Sequence, residues 1–229
     1  MNRDTISIII TALNEEDNLL QTYDKVKRAI DGRFADYEMI IFNDGSTDDT
    51  GKIVDEIART NPKVRAMHHP RPMNLGYVYK SGIKMARMEY LMLVTGDNDV
   101  EQKAFEDTFD LRNKADMVIP FHLNERSRPL WRQIISKGFV QLVNLAAGLR
   151  LKYYNGMVLH KTSIISSIAI KTDSFAYQAE ALVKLLKRGY GYIEVGIYLL
   201  DRKKGHSKAF RIKNIIGILK SVFDILRGG

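Results

Sequence analysis

Apolar residues along this chain fall into short dense runs, and polar segments with helical spacing separate them. The run Thr5-Ile6-Ser7-Ile8-Ile9-Ile10 reads as a buried strand, followed by the polar loop Thr11-Ala12-Leu13-Asn14-Glu15-Glu16-Asp17-Asn18 and a helix of about 12 residues. A second strand, from Glu38 to Phe42, ends at Asn43-Asp44-Gly45-Ser46-Thr47-Asp48-Asp49-Thr50. Gly45 permits a tight turn there, and Ser46 or Thr47 caps a helix through Ile53, Ile57 and Ala58. Val64 to Met67 is a short third strand, and a helix through Ser81 to Ala86 follows it. Further strands are predicted at Leu91 to Val94, Asp116 to Phe121 and Tyr192 to Tyr198, and further helices at Trp131 to Leu149 and Tyr177 to Leu186. Strands alternating with helices predict an α/β fold, a mostly parallel sheet flanked by helices.

The stretch Leu91-Met92-Leu93-Val94-Thr95-Gly96-Asp97-Asn98-Asp99 carries the clearest candidate chemistry. A buried strand breaks at Gly96 into two carboxylates, and in an open α/β sheet ligands sit beyond the carboxyl ends of the strands. Strand alternation would put Asp97 and Asp99 on one side, where hard oxygen ligands suit Mg2+ or Mn2+ sharing substrate phosphates. The plainer reading is a solvated loop that caps the next helix.

Composition narrows the partners. The 229 residues are 45% hydrophobic and 27% charged, enough for one sizeable core, and the formal net charge of +8 favours acidic partners such as nucleotides or anionic lipid. Nucleic acid is not expected, because the basic residues are dispersed and no recognition motif is present. The absence of cysteine excludes disulfides and thiolate metal sites. The N-terminus has no signal-peptide pattern, and no run of about 18 apolar residues predicts a spanning helix. Any membrane attachment is therefore expected to be peripheral, and the protein cytoplasmic.

Five segments occur in an order that resembles family 2 glycosyltransferases with the A-type nucleotide-diphospho-sugar fold. They are Thr11-Ala12-Leu13-Asn14-Glu15, Asn43-Asp44-Gly45-Ser46-Thr47-Asp48, Asn74-Leu75-Gly76 with Gly82, Gly96-Asp97-Asn98-Asp99, and Arg202-Lys203-Lys204-Gly205-His206-Ser207-Lys208. Within that family the chain is most similar to the dolichyl- or polyprenyl-phosphate sugar transferases. The resemblance implies a metal-dependent inverting transfer of a hexose from a GDP- or UDP-sugar to a polyprenyl phosphate. It places Thr11, Leu13, Glu15, Phe42 and Asp44 around the nucleoside, with Gly96, Asp97 and Asn98 beside the nucleotide. Asp99 would be the main metal ligand, Asp97 would join the metal shell, and Glu101 stands where the family usually has a ligating Gln. Asn43 and Thr11 depart from the Asp and Pro usual at those positions.

The second half carries the acceptor-side expectations. Three arginines, Arg126, Arg128 and Arg132, lie within seven residues, and the family places a phosphate-binding Arg in this loop. Arg126 and Arg128 are the candidates, Arg126 on the catalytic side and Arg128 on the donor. The helix from Trp131 to Leu149, with few charges, is read either as lying near lipid or as a core helix. Tyr153-Tyr154-Asn155-Gly156 matches the family turn poorly. The helix from Tyr177 lacks the Glu-Asp pair that activates hydroxyl acceptors in many relatives, which favours an acceptor that already carries a phosphate charge. Arg202 and Lys208 would close over the donor phosphates. Residues 1–209 are read as the catalytic domain and 210–229 as a basic amphipathic tail, with Ile212, Ile215, Ile216, Leu219, Phe223 and Leu226 on one stripe that would bind a membrane interface or pack on protein. Two other readings stay open: transfer to a hydroxyl of a glycan or lipid-linked saccharide, and a non-catalytic nucleotide-sugar binding module.

Overall fold

The computed structural model describes residues 3–124 and 130–200. Seven strands form one mixed sheet: β1 (Thr5–Ala12), β2 (Asp36–Asn43), β3 (Val64–His68), β4 (Tyr90–Thr95), β5 (Met117–His122), β6 (Leu159–Lys161) and β7 (Tyr192–Ile197). Their order across the sheet is β3-β2-β1-β4-β6-β5-β7. Helices α1 (Leu19–Ile30), α2 (Thr50–Thr60), α3 (Leu75–Met85), α4 (Gln102–Asp110), α5 (Leu130–Ala147), α6 (Thr162–Ile165) and α7 (Tyr177–Lys187) connect them. The predicted α/β architecture is therefore present. The predicted amphipathic tail at 210–229 lies outside the described residues.

Strand alternation explains why both faces must be covered. Ile6, Ile8 and Ile10 of β1 point into one core with Leu19 and Val26 of α1, Val54 of α2 and Phe105 of α4. Ile9 points the other way, with Ile40, Leu91 and Leu93, into a core with Val78 of α3, Val143 of α5 and Leu182 of α7. These β1 side chains are fully buried, and each such isoleucine contributes about 1.5–3 kcal/mol of apolar burial. The runs are continuous and apolar because neither sheet face meets water.

β1, β2, β3 and β4 are all parallel. The sequence missed β6, which is antiparallel to both β4 and β5. It is only three residues long, and most of the run Tyr153 to Leu159 that precedes it is irregular. Periodicity over so short a segment carries no strand signal. The β6 insertion leaves β5 running in the same direction as β4, and β7 parallel to β5, so their carboxyl ends share one edge.

Candidate active site

The carboxyl ends of β2, β1 and β4 lie side by side, with Thr11 in register with Phe42 and Thr95. Two backbone bonds extend the pairing past the strands: the Asp44 amide donates to Ala12 O (2.8 Å) and the Gly96 amide to Thr11 O (2.8 Å). The loops beyond are then cross-linked. The Asn14 amide donates to Ser46 Oγ (2.9 Å), the Thr47 amide to Asn14 Oδ1 (2.8 Å), and the Glu15 amide to Thr50 Oγ1 (2.8 Å). Asn14 holds a left-handed backbone (φ 51°), which asparagine tolerates better than most side chains. Glu15 accepts from Asn18 Nδ2 (2.9 Å). Thr11, Glu15, Asp44 and Gly96, and the backbone of Leu13, are thus brought to one edge.

Asp44 is 5% exposed, and its Oδ1 is held by His69 Nδ1 (2.7 Å) and by the Met73 amide (2.9 Å). An ionised Asp44 only accepts hydrogen bonds, so Nδ1 of His69 carries the proton. The His69 ring lies between Phe42 (centroids 5.6 Å) and the half-exposed Tyr77 (5.5 Å). Phe42 itself is buried and meets this edge through that ring contact. Gly45 (φ 75°) is required here, because a Cβ would stand 2.4 Å from the Arg71 backbone. Sequence reasoning did not identify His69 or Tyr77. Their only signal was position, directly after the predicted third strand and at the start of the helix beyond the next loop.

Asn43 replaces the usual aspartate without loosening the turn. Its Oδ1 accepts from the Ser46 amide (3.0 Å), and its Nδ2 meets His68 Nδ1 (3.1 Å). An aspartate could take the first bond but could not donate the second.

Asp97 and Asp99 sit beyond the end of β4 in a turn, so strand alternation does not set their geometry. Asn98 between them is left-handed (φ 54°) and donates to Gln21 Oε1 (2.8 Å), and Asp97 Oδ1 accepts from Thr95 Oγ1 (2.8 Å). The Asp99 carbonyl accepts from the Leu200 amide (2.8 Å), and Val100 bridges Leu199. Glu101 precedes the first turn of α4 in extended backbone. Among the described residues, no three His, Asp or Glu side chains converge to hold a metal by themselves. The donor set still fits a hard cation, since carboxylate oxygens suit Mg2+ or Mn2+ when phosphate oxygens and water complete the shell.

The glycines of the third segment also have structural reasons. A Cβ on Gly76 would stand 2.7 Å from the Asp173 backbone, and one on Gly82 would run into Ile9. The 171–173 loop is further held by Lys80 to Asp173 (2.6 Å) and by Glu180 of α7, which accepts from the Lys171 and Thr172 amides (2.8 and 2.9 Å) and from Lys184 Nζ (2.6 Å). Burial pushes the Glu180 carboxyl up, but Lys184 and the two amides outweigh it and hold it below the ordinary glutamate range. Beneath this helix, Gln178 meets the fully buried His160 at 3.0 Å, and burial pushes the His160 imidazole down to about 3. Tyr153 packs on His122 (centroids 4.3 Å), and the Tyr154 hydroxyl donates to Asn144 (2.7 Å), so the poorly matching turn is anchored to the scaffold. Arg126, Arg128, Arg202 and Lys208 lie outside the described residues.

The chain is 27% identical over 220 residues to polyprenol monophosphomannose synthase of Mycolicibacterium smegmatis, covering 88% of this chain and 79% of that protein. It is 25% identical over 156 residues to a dolichyl-phosphate beta-glucosyltransferase of Trichomonas vaginalis, covering 61% of this chain and 46% of that one. In fold it matches the crystal structure of glucosyl-3-phosphoglycerate synthase from Mycobacterium tuberculosis in complex with Mn2+, uridine diphosphate and glucosyl-3-phosphoglycerate. There the TM-score is 0.67 at 17% identity, covering 97% of this chain and 78% of that one. Residues 7–165, more than half of the chain, match the glycosyl transferase family 2 model, and the protein belongs to that family and is a glycosyltransferase.

Proposed function

We propose that this glycosyltransferase is an inverting, metal-dependent enzyme that moves a hexose from a GDP- or UDP-sugar to a polyprenyl phosphate at the cytoplasmic face of a membrane. The observation that carries the donor half is the stitched edge of β2, β1 and β4, where buried Asp44 and the Asp97–Asp99 turn follow the two strands that flank β1. Asp44 accepts a base N–H, with His69 and the Met73 amide fixing its orientation. Thr11, Leu13 and Glu15 line the base and ribose, and Gly96 and Asn98 bring the backbone close to the nucleotide. Asp99 and Asp97, with Glu101, would hold Mg2+ or Mn2+. When bound, such an ion supplies Lewis-acid stabilisation of charge on the leaving nucleoside diphosphate.

On the acceptor side, Glu180 is the one carboxylate in the first turn of α7, and both of its oxygens are committed to the 171–172 amides and Lys184. A carboxylate held below its usual range is a poor general base, whereas an acceptor phosphate oxygen needs none. The similarity to polyprenol monophosphomannose synthase over 88% of the chain supports the same acceptor class. Arg126 and Arg128 would meet phosphate oxygens, and Arg202 and Lys208 would close over the donor.

The test is incubation with Mn2+, labelled GDP- and UDP-sugars, and either phosphorylated or dephosphorylated polyprenol. Transfer only to the phosphorylated lipid is expected. Equal transfer to the dephosphorylated lipid would assign a hydroxyl acceptor, and donor binding without any transfer would leave only a binding module.

A further inference from the structure

We propose that His69 makes the donor site selective for uracil over guanine, so that the donor is a UDP-sugar. The inference rests on the reading of Asp44 as the base contact and deepens it by naming the base. An ionised carboxylate offers four lone-pair sites, two on each oxygen. On Asp44 both sites of Oδ1 are taken, one by His69 Nδ1 (2.7 Å) and one by the Met73 amide (2.9 Å). Among the described residues nothing bonds Oδ2. One carboxylate oxygen therefore remains for a base.

The fold itself holds both donors to Oδ1. The His69 amide donates to Asn43 O (3.0 Å), which carries the β2–β3 pairing one residue past the register of Asn43 with His68. The His69 ring, 15% exposed, is fixed between Phe42 and Tyr77 at centroid distances of 5.6 and 5.5 Å. The loop that supplies the Met73 amide is pressed against the Asp44 turn, since a Cβ on Gly45 would stand 2.4 Å from the Arg71 backbone and 2.6 Å from Pro72. A base must meet this carboxylate as the fold presents it.

The two bases present different edges. Guanine carries adjacent donors, its ring N–H and its amino group, and pairs with a carboxylate through two parallel bonds that need both oxygens, as an arginine fork does. With Oδ1 committed, one guanine donor is left without a partner beside a carboxylate that is 5% exposed. An unpaired polar group of that kind is how a buried site rejects a wrong ligand. Uracil carries one ring N–H, and Oδ2 satisfies it. That N–H stands between two carbonyl oxygens, which an open Oδ1 would repel. Two donors on Oδ1 offset that repulsion.

Metal-free calorimetry on the full-length protein tests this with UDP, GDP and UDP methylated at the uracil ring N–H. UDP should bind about tenfold or more tighter than GDP, the usual cost of one unpaired donor. Methylation should abolish that advantage, because it removes the only donor on the uracil edge. His69→Phe should shrink the UDP-to-GDP ratio to about threefold or less, since one site on Oδ1 reopens. His69→Asn, whose amide can still donate, should keep most of the ratio. GDP bound as tightly as UDP by the parent would overturn the proposal, and so would an undiminished ratio in His69→Phe. The methylated ligand needs only the parent protein, so parental affinity for it overturns the proposal even where a variant fails to fold. Asp44→Ala separates the inference from the reading beneath it. A parent that prefers GDP, with both nucleotides weakened in Asp44→Ala, defeats the base choice alone. Parental affinity for both in Asp44→Ala would mean that Asp44 does not contact the base, and the donor-site reading would fall with the inference.

Discussion

In the half of the sheet formed by β3, β2, β1 and β4, every pair is parallel and the strand-end loops are cross-linked by side chains such as Asn14, Thr50 and Asp44. In the half formed by β6, β5 and β7, an antiparallel strand interrupts the order, and α5 turns an apolar face outward within a segment that has no acidic residue. The first arrangement is rigid and polar at its edge, which suits a small, heavily hydrogen-bonded nucleotide. The second presents an apolar helix face within a segment whose only charged residues are basic. The two halves thus satisfy their backbone and bury their apolar area by different means.

The largest expected effect concerns the segment that follows β7 in the sequence, outside the described residues. If the segment after β7 closes over the donor phosphates, Arg202→Ala/Lys208→Ala should lose about 100- to 1000-fold in transfer rate, as expected for well-placed charge stabilisation in a water-excluded site. Its melting temperature should stay near the parent's, since exposed charges contribute little to stability. Near-parental rates on a short acceptor would remove the clamp.

Next comes Glu180, which braces the second half against α3. Glu180→Ala leaves the Lys171 and Thr172 amides without their acceptor and Lys184 with the Ala169 carbonyl but no counter-charge, and about 3–5 kcal/mol of stability should be lost in denaturant unfolding. The pH dependence follows from its lowered folded value. A depressed carboxyl contributes fully above its unfolded value, ordinarily about 4.3, and that stability disappears as pH falls through the folded value. Glu180→Gln should therefore flatten the stability profile below about pH 4.3. His160 acts over a higher window. Its imidazole stays neutral in the fold down to about 3, while the unfolded chain takes up a proton below about pH 6.5. Stability should fall as pH drops through that interval, and His160→Gln should remove the loss. An unchanged profile in both variants would contradict the assigned environments.

Smaller effects sharpen the donor half. His69→Phe keeps the aromatic contact with Phe42 but removes one of two donors to Asp44. About 1–3 kcal/mol of nucleoside affinity should be lost in metal-free calorimetry, the usual cost of an unsatisfied buried partner. Equal affinity would reduce His69 to packing. Smallest is Asn14→Gly, which keeps the left-handed backbone and loses the bond to the Thr47 amide. It should cost about 0.5–1.5 kcal/mol in thermal unfolding, and a larger loss would mean that the loop linkage is cooperative.

The donor half was legible because its signals are local. Each of β1, β2 and β4 is an apolar run followed within two residues by Asn, Asp or Gly, and the same residues that read as motifs prove to be the ones that join the loops. What could not be read arises from pairings distant in sequence. His69 reaches Asp44 across 25 residues, and β6 pairs with β4 across about 70. The helix at 131–149 was left between a lipid-facing and a core reading because both faces are apolar. Its periodicity is accordingly weak, and only packing separates the buried Val143 from the exposed Leu145. Alternation predicts Asp97 and Asp99 on one side, but both lie beyond the end of β4, on either side of the left-handed Asn98.

The central claim is that the ends of β1 and β2 hold the nucleoside while the turn after β4 holds the diphosphate through a cation. Calorimetric titration of the parent and Asp99→Ala with GDP and UDP, with and without Mn2+, tests it most directly. The parent should bind one nucleotide more tightly when Mn2+ is present. Asp99→Ala should lose that gain and keep the metal-free affinity that Asp44 supports. A Mn2+-dependent gain of parental size in Asp99→Ala would contradict the account.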